Sequence, residues 1–415
     1  MKSGPSADLE RDDPPAALMV ASSSGESGRK HSRRTGARSE ARAKEAADPR
    51  SGEAGAKLAP QLPAPSRPRL DPRRARTYPL GGRKSKVAAA ELARPLAPGL
   101  AFADWLDRLP DILAASDLRL AADAIARARL AGRAVVLGMG AHPIKVGLAP
   151  IIIDLLERGV VTAVALNGAG IIHDFEMAAA GKTSEDVGPG LDRGRFGMAR
   201  ETGAVLNRVI AEGARAGLGL GEAVGKHIAE SRYPHRRLSL AAATARLGVP
   251  FTVHVAIGTD IIHMHPGADG AAIGAASLRD FHRLAEVVAS LAGGVYVNLG
   301  SAVVLPEVFV KALNLARNLG HRVRPLTTID LDFIRHYRPG VNVVSRPTAS
   351  GGRGIHITGH HELSFPLLAG AVLERLDALT GGRESRAVAS SAQRAPRGDD
   401  RPARRARGCK RPAGE

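Results

Sequence analysis

Four short clusters hold most of the side chains that could do chemistry. In the first, Gly138-Met-Gly-Ala-His-Pro-Ile-Lys-Val-Gly147, Gly138 and Gly140 allow close backbone approach and Lys145 adds a cation beside His142. The free amides of a helix start there would suit a phosphate. Pro143 breaks the G-x-G-x-x-G spacing of a dinucleotide turn, so a glycine turn made only for packing competes with that reading. The second cluster is Asn167-Gly-Ala-Gly-Ile-Ile-His-Asp-Phe-Glu176, in which Asn167, Gly168 and Gly170 precede His173, Asp174 and Glu176. Its carboxylates could serve a ligand or simply satisfy the amides of the helix they open. The third, Gly258-Thr-Asp-Ile-Ile-His-Met-His-Pro-Gly267, brings Asp260, His263 and His265 into six residues. Such a set could bind a divalent metal, polarise a substrate or close a hydrogen-bonded loop. The fourth is a Gly-Ser turn at Gly300 and Ser301 with Pro306 and Glu307 beyond it, good chemistry for a helix start. His360-His-Glu362 reads as a cap and surface cluster before a last helix.

The elements between the clusters explain why they would meet. Ala134-Val-Val-Leu137 is a short β-branched run that ends in the first glycine turn, and an amphipathic segment follows from Ile144 to Glu157. The unit repeats with a strand at Val160–Leu166 and a helix from Ile171 to Ala180. Helical spacing then fills the chain from Arg195 to Leu247. Strands are expected again at Phe251–Ile257, Gly294–Leu299, Val323–Asp330, Asn342–Val344 and Gly354–Ile357, with helices near 277–291, 306–319 and 364–376. Six or seven strands alternating with helices predict a doubly wound, mostly parallel α/β sheet with right-handed crossovers. Ligands of such sheets bind outside the carboxyl ends of the strands, where the four clusters fall.

Charge is distributed unevenly. The chain of 415 residues carries a net +18, of which residues 1–86 hold +9, residues 381–415 hold +6 and the stretch between them +3. Both ends lack spaced apolar residues, which predicts disordered basic tails at 1–86 and 381–415 around one α/β domain at 87–380. The tails could touch nucleic acid non-specifically, but Tyr78 is their one aromatic residue that could stack a base. The single cysteine, Cys409, excludes a disulfide framework or a thiolate metal cluster in the domain. The apolar stretch Ala16–Ala21 is too short for a signal-peptide core, and no run reaches the roughly 18 residues of a membrane span. A cytoplasmic location without membrane contact is the expectation.

In their order, these segments resemble the NAD-dependent deoxyhypusine synthase family over about residues 101–378. Asn167-Gly-Ala-Gly170 with His173-Asp174 resembles its Thr-Ala-Gly-Gly turn and acidic helix start. Val249-Pro-Phe with Gly258-Thr-Asp260 resembles its Ile-Pro-Val and Thr-Asp-Gly segment. Thr358-Gly-His-His-Glu-Leu-Ser-Phe-Pro-Leu-Leu368 resembles its Ala-Asp-Ala and Phe-Pro-Leu-Leu end. The resemblance implies a homotetramer with NAD between subunits, lined here by Gly138, Gly140, His142, Lys145, Asn167, Gly168, Gly170, Asp260, Ser301 and Thr328. It also implies oxidation of spermidine and transfer of its aminobutyl group to an acceptor amine, with Asp260, or His173 and Asp174 nearby, meeting the polyamine; His263 and His265 join Asp260 and His173 as residues that would handle a cationic amine. The family's imine-forming lysine corresponds to Val344-Ser-Arg-Pro-Thr348, which has none, so the fold can persist with altered chemistry. Two other readings remain: a metal-dependent hydrolase using Asp260, His263 and His265, and a non-catalytic nucleotide-binding scaffold.

Overall fold

The structure, a computed structural model, describes residues 70–381. The tail assignments for residues 1–69 and 382–415, and Cys409, lie outside the described residues. Residues 70–78 belong to a first unit, in which Asp71 caps a single 3-10 turn at Pro72–Arg74. The second unit begins at Pro79 and carries every strand among the described residues.

Within it, α1 (Phe102–Leu106) and α2 (Leu113–Leu130) lead to β1 (Val135–Met139). The single turn α3 (His142–Lys145) and α4 (Ala149–Glu157) cross over to β2 (Ala163–Asn167). Five helices then intervene: α5 (Gly168–Ala180), α6 (Val187–Leu191), α7 (Arg200–Arg215), α8 (Leu220–Glu230) and α9 (Leu240–Leu247). They precede β3 (Phe251–His254), α10 (Gly270–Ala289), β4 (Val295–Leu299), α11 (Val304–Asn318) and β5 (Leu326–Asp332). The chain ends through the short α12 (Tyr337–Pro339), a π-helical turn at Gly340–Ser345, β6 (Gly352–Thr358) and α13 (His361–Leu379).

All strand pairs are parallel, and the order across the sheet is β3-β2-β1-β4-β5-β6. The doubly wound architecture expected from the alternation is therefore present, with six strands. β1 and β4 sit at its centre and every residue of both is buried, as expected for strands covered by helices on each face. One apolar cluster joins the sheet to α2, α4, α5, α9 and α13. The other joins it to α10 and α11, where the Tyr296 and Phe309 rings stack 3.7 Å apart.

The expected strand at Asn342–Val344 is instead the π-helical turn. Its β-branched valines favour a strand locally, but β6 already occupies the outer side of β5, and Val343 is buried in the α10–α11 cluster. A side chain at Gly354 would strike the Val344 carbonyl, so glycine lets this turn lie against β6.

In this order the crossover from β1 leads toward β2 and β3, and that from β4 toward β5 and β6. The crevice between the carboxyl ends of β1 and β4 is thus the topological switch point, where an α/β sheet is open to a ligand.

Candidate functional site

Asp260 lies beyond the end of β3, 7% exposed, with its carboxylate against the first residue of α5. Any side chain at Gly168 would overlap that carboxylate, which is why the helix opens with glycine. Asn167 caps the same helix, its Oδ1 accepting from Gly170 N at 3.0 Å. Asp260 Oδ2 is buried and has no hydrogen-bond partner. Burial pushes its pKa up to about 6. Beside it opens a cleft of about 240 Å3 lined by Lys145, His173, Glu176, Glu185, Phe196 and Asp260 among others.

Hydrogen bonds fix the state of the cleft's histidine. Thr183 Oγ1 donates to Glu176 Oε2 at 2.6 Å, so at its 2.6 Å contact with His173 Nδ1 it must accept. His173 therefore carries its proton on Nδ1 and offers a lone pair at Nε2. Thr202 Oγ1 donates to the other oxygen of Glu176 at 3.1 Å. Burial lowers the His173 pKa, with Glu176 opposing the shift and Lys145 adding to it.

At the switch point, the glycines are explained by their own neighbours. Gly138 lies inside β1, where a side chain would collide with the Tyr296 hydroxyl, and one at Gly140 would collide with the Gly300 carbonyl. The two turns thereby close to backbone contact, with Gly140 N donating to Leu299 O at 3.0 Å. Ser301 Oγ accepts from Leu305 N at 3.1 Å and so starts α11. His142 and Lys145 stand on α3 above these turns. His142 Nδ1 is 2.8 Å from His361 Nδ1, and His361 Nε2 is 3.3 Å from Asp332 Oδ1, an electrostatic contact without hydrogen-bond alignment. Beneath them, Asn298 Nδ2 donates to Asp330 Oδ1 at 2.8 Å, and Asp330 Oδ2 lies 2.7 Å from His356 Nδ1.

Several expected site residues are placed elsewhere. Asp174 is fully buried and accepts from Ser239 Oγ at 2.5 Å, Leu240 N at 2.7 Å and Ala241 N at 3.1 Å. It caps α9 rather than its own helix and cannot meet a substrate. His265 Nε2 lies 2.8 Å from the Gly197 carbonyl and its ring fills the space beside Gly203 on α7. His263 Nδ1 accepts from Gly258 N at 3.1 Å and Asp260 N at 3.3 Å, which closes the loop. Asp260 thus faces α5, His263 its own loop and His265 α7, and among the described residues no three His, Cys, Asp or Glu side chains converge on a metal position. The metal-hydrolase alternative is corrected on that ground. Thr328 is buried within β5, beside Tyr296 on the neighbouring strand, and does not reach the strand ends. His361, read from sequence as a surface cap, is fully buried. The missed signal was Asp330 and Asp332, buried carboxylates at alternate positions of a strand whose neighbours Ile329 and Leu331 are apolar and buried.

No family model and no curated protein matches the sequence. Among solved structures, the chain is similar to a candidate deoxyhypusine synthase from Entamoeba histolytica, with TM-score 0.43 and 11% identity over 68% of this chain and 96% of that one. A conserved candidate LOR/SDH protein from Methanococcus maripaludis S2 gives 0.43 and 14% over 64% and 71%. AgrE, solved with ornithine and NAD+, gives 0.41 and 18% over 66% and 35%, so the chain spans about a third of its length.

Proposed function

We propose that this chain binds NAD across the β1–β4 switch point and acts on a small cationic amine, a polyamine of the spermidine class, held in the cleft beside Asp260. One observation carries the reading: Asp260 is a buried carboxylate with an unpartnered oxygen at a cleft whose wall adds Glu176 and Glu185 against the single cation of Lys145. An ammonium group would supply the missing partner.

The switch point, where the two glycine turns meet in backbone contact with Lys145 beside them, suits a dinucleotide better than the start of α5, whose N-terminus already faces Asp260. Gly140, His142, Lys145 and the backbone of Gly300 and Ser301 would hold it. When bound, the cofactor would accept hydride from the carbon next to the amine nitrogen. The chain's own residues orient the amine through Asp260 and offer a proton acceptor at His173 Nε2. With no lysine at Val344–Thr348, the reaction can stop at oxidation or pass the aminobutyl group directly to a second amine. The homotetramer implied by the resemblance belongs to the same reading.

The test is native mass spectrometry for bound NAD and for the assembly's mass, with NADH absorbance followed after spermidine is added. Asp260→Asn is expected to reduce NADH formation by roughly 100-fold or more, in line with loss of a buried ionic contact. Wild-type protein that neither binds NAD nor forms NADH would refute the proposal.

A further inference from the structure

We propose that Asp332, His361 and His142 form an acid–base relay whose working atom is His142 Nε2, the base that takes a proton from the ammonium group of a cationic substrate where the cleft of Asp260 meets the switch point. The ligand class rests on the function proposed above, whereas the relay rests on its own geometry.

Three elements build it. Asp332 ends β5, His361 opens α13 and His142 opens α3, and the first two are 2% and 0% exposed. The turn at Gly300 (φ 63) has no side chain, and one there would collide with the His361 ring. Phe333 packs against both His142 and His361 and closes the assembly on one side.

The proton positions follow from the order of contacts. A carboxylate 3.3 Å from His361 Nε2 favours a proton on that nitrogen, because a lone pair there would face the negative oxygen. His361 Nδ1 is then an acceptor, and only one proton fits in the 2.8 Å gap between the two Nδ1 atoms. That proton belongs to His142, which leaves the lone pair of His142 on Nε2. Sequential placement of carboxylate, buried imidazole and outer base is the logic of a catalytic triad with a second histidine in the nucleophile's place.

When the ammonium N–H bond breaks, its electron pair stays on the amine nitrogen and the proton bonds to His142 Nε2. The Nδ1 proton of His142 can then cross to His361 Nδ1, and the positive charge comes to rest beside Asp332. The surrounding charges favour that direction. Burial, His361 and Lys145 disfavour a cation on His142, against Glu362 and Asp332, which favour it. Lys145, on the same helical turn as His142, lines the cleft of Asp260, so the relay borders that cleft.

The experiment uses the full chain with 15N-labelled histidine and two-bond nitrogen–proton spectra, assigned with single substitutions. Neutral His142 is expected to be the Nδ1–H tautomer, and His361→Phe to return it to the Nε2–H form usual for a free imidazole. Wild-type His142 already in the Nε2–H form would overturn the relay without any variant having to fold. A second readout is carbethoxylation of His142 by diethyl pyrocarbonate, mapped by peptide mass. Spermidine is expected to slow it at least fivefold, while the exposed neighbour His360 reacts unchanged. Equal rates with and without spermidine would overturn the substrate contact. NAD binding decides the cofactor separately: a chain with the tautomer and the protection but no bound NAD keeps the relay and loses the dinucleotide.

Discussion

Gly168 and Asp260 make one unit, and each is tested through the other. Gly168→Ala would drive a methyl group into the carboxylate, so the loop after β3 must move; a cost of about 1–3 kcal/mol in urea-derived stability is expected, with loss of spermidine binding by calorimetry. Binding should also depend on pH with a definite sign. The amine is cationic throughout, and Asp260 titrates at about 6, so affinity is expected to rise as pH increases from 5 to 7 and to lose that dependence in Asp260→Asn. Calorimetry at three pH values checks it. At this scale the place of Asp260 beyond a strand was legible in the sequence, and so was the glycine start of the helix that carries His173. The sequence was misleading for Asp174 and His265. The spacing of polar residues along the chain does not say which helix a buried carboxylate will cap, and Asp174 serves the distant residues Ser239, Leu240 and Ala241.

Among the elements, α10 does more than cover a face. Its Asp280 accepts from Gly221 N at 2.9 Å and from Val253 N at 2.8 Å, and its Ser277 accepts from Val255 N at 3.1 Å. The start of α8 and the outer side of β3, an edge strand, are thereby satisfied by one helix. Asp280 and Asp174 are both raised by burial, to about 7 and about 6 from an ordinary 3.8. Between about pH 4 and 7 the folded chain thus holds protons the unfolded chain has released, and stability from these groups falls as pH rises. Urea melts across that range are expected to show the decline, and Asp280→Asn to flatten it. Asp174→Ala, which strands two buried amides and a hydroxyl, is expected to cost about 2–4 kcal/mol at every pH in the same melts. Strand and helix alternation was legible because central parallel strands are continuously apolar. The π-helical turn was not, since its valines argue for a strand and only the placement of β6 decides against it.

For the whole molecule, the second unit holds the entire sheet and both apolar clusters, and the stretch 87–380 carries only +3 of the net +18. Thermal unfolding of a chain trimmed to residues 79–381 is expected to match that of the full chain within about 2 °C, while its retention on a cation-exchange column falls. A lowered melting temperature would show that the trimmed ends contribute to the fold. The switch point has a further consequence in time. Val135 pairs with Val295, a partner 160 positions later, so the seam between β1 and β4 joins two stretches that are made far apart in synthesis. Closing so long a loop is slow compared with forming each flanking half. His142 and Asp260 emerge with the first half, Asp332 and His361 with the second. A nascent or proteolytically clipped chain can therefore possess the acidic cleft while lacking the carboxylate and imidazole of the proposed relay, which would be completed only when the last strands dock.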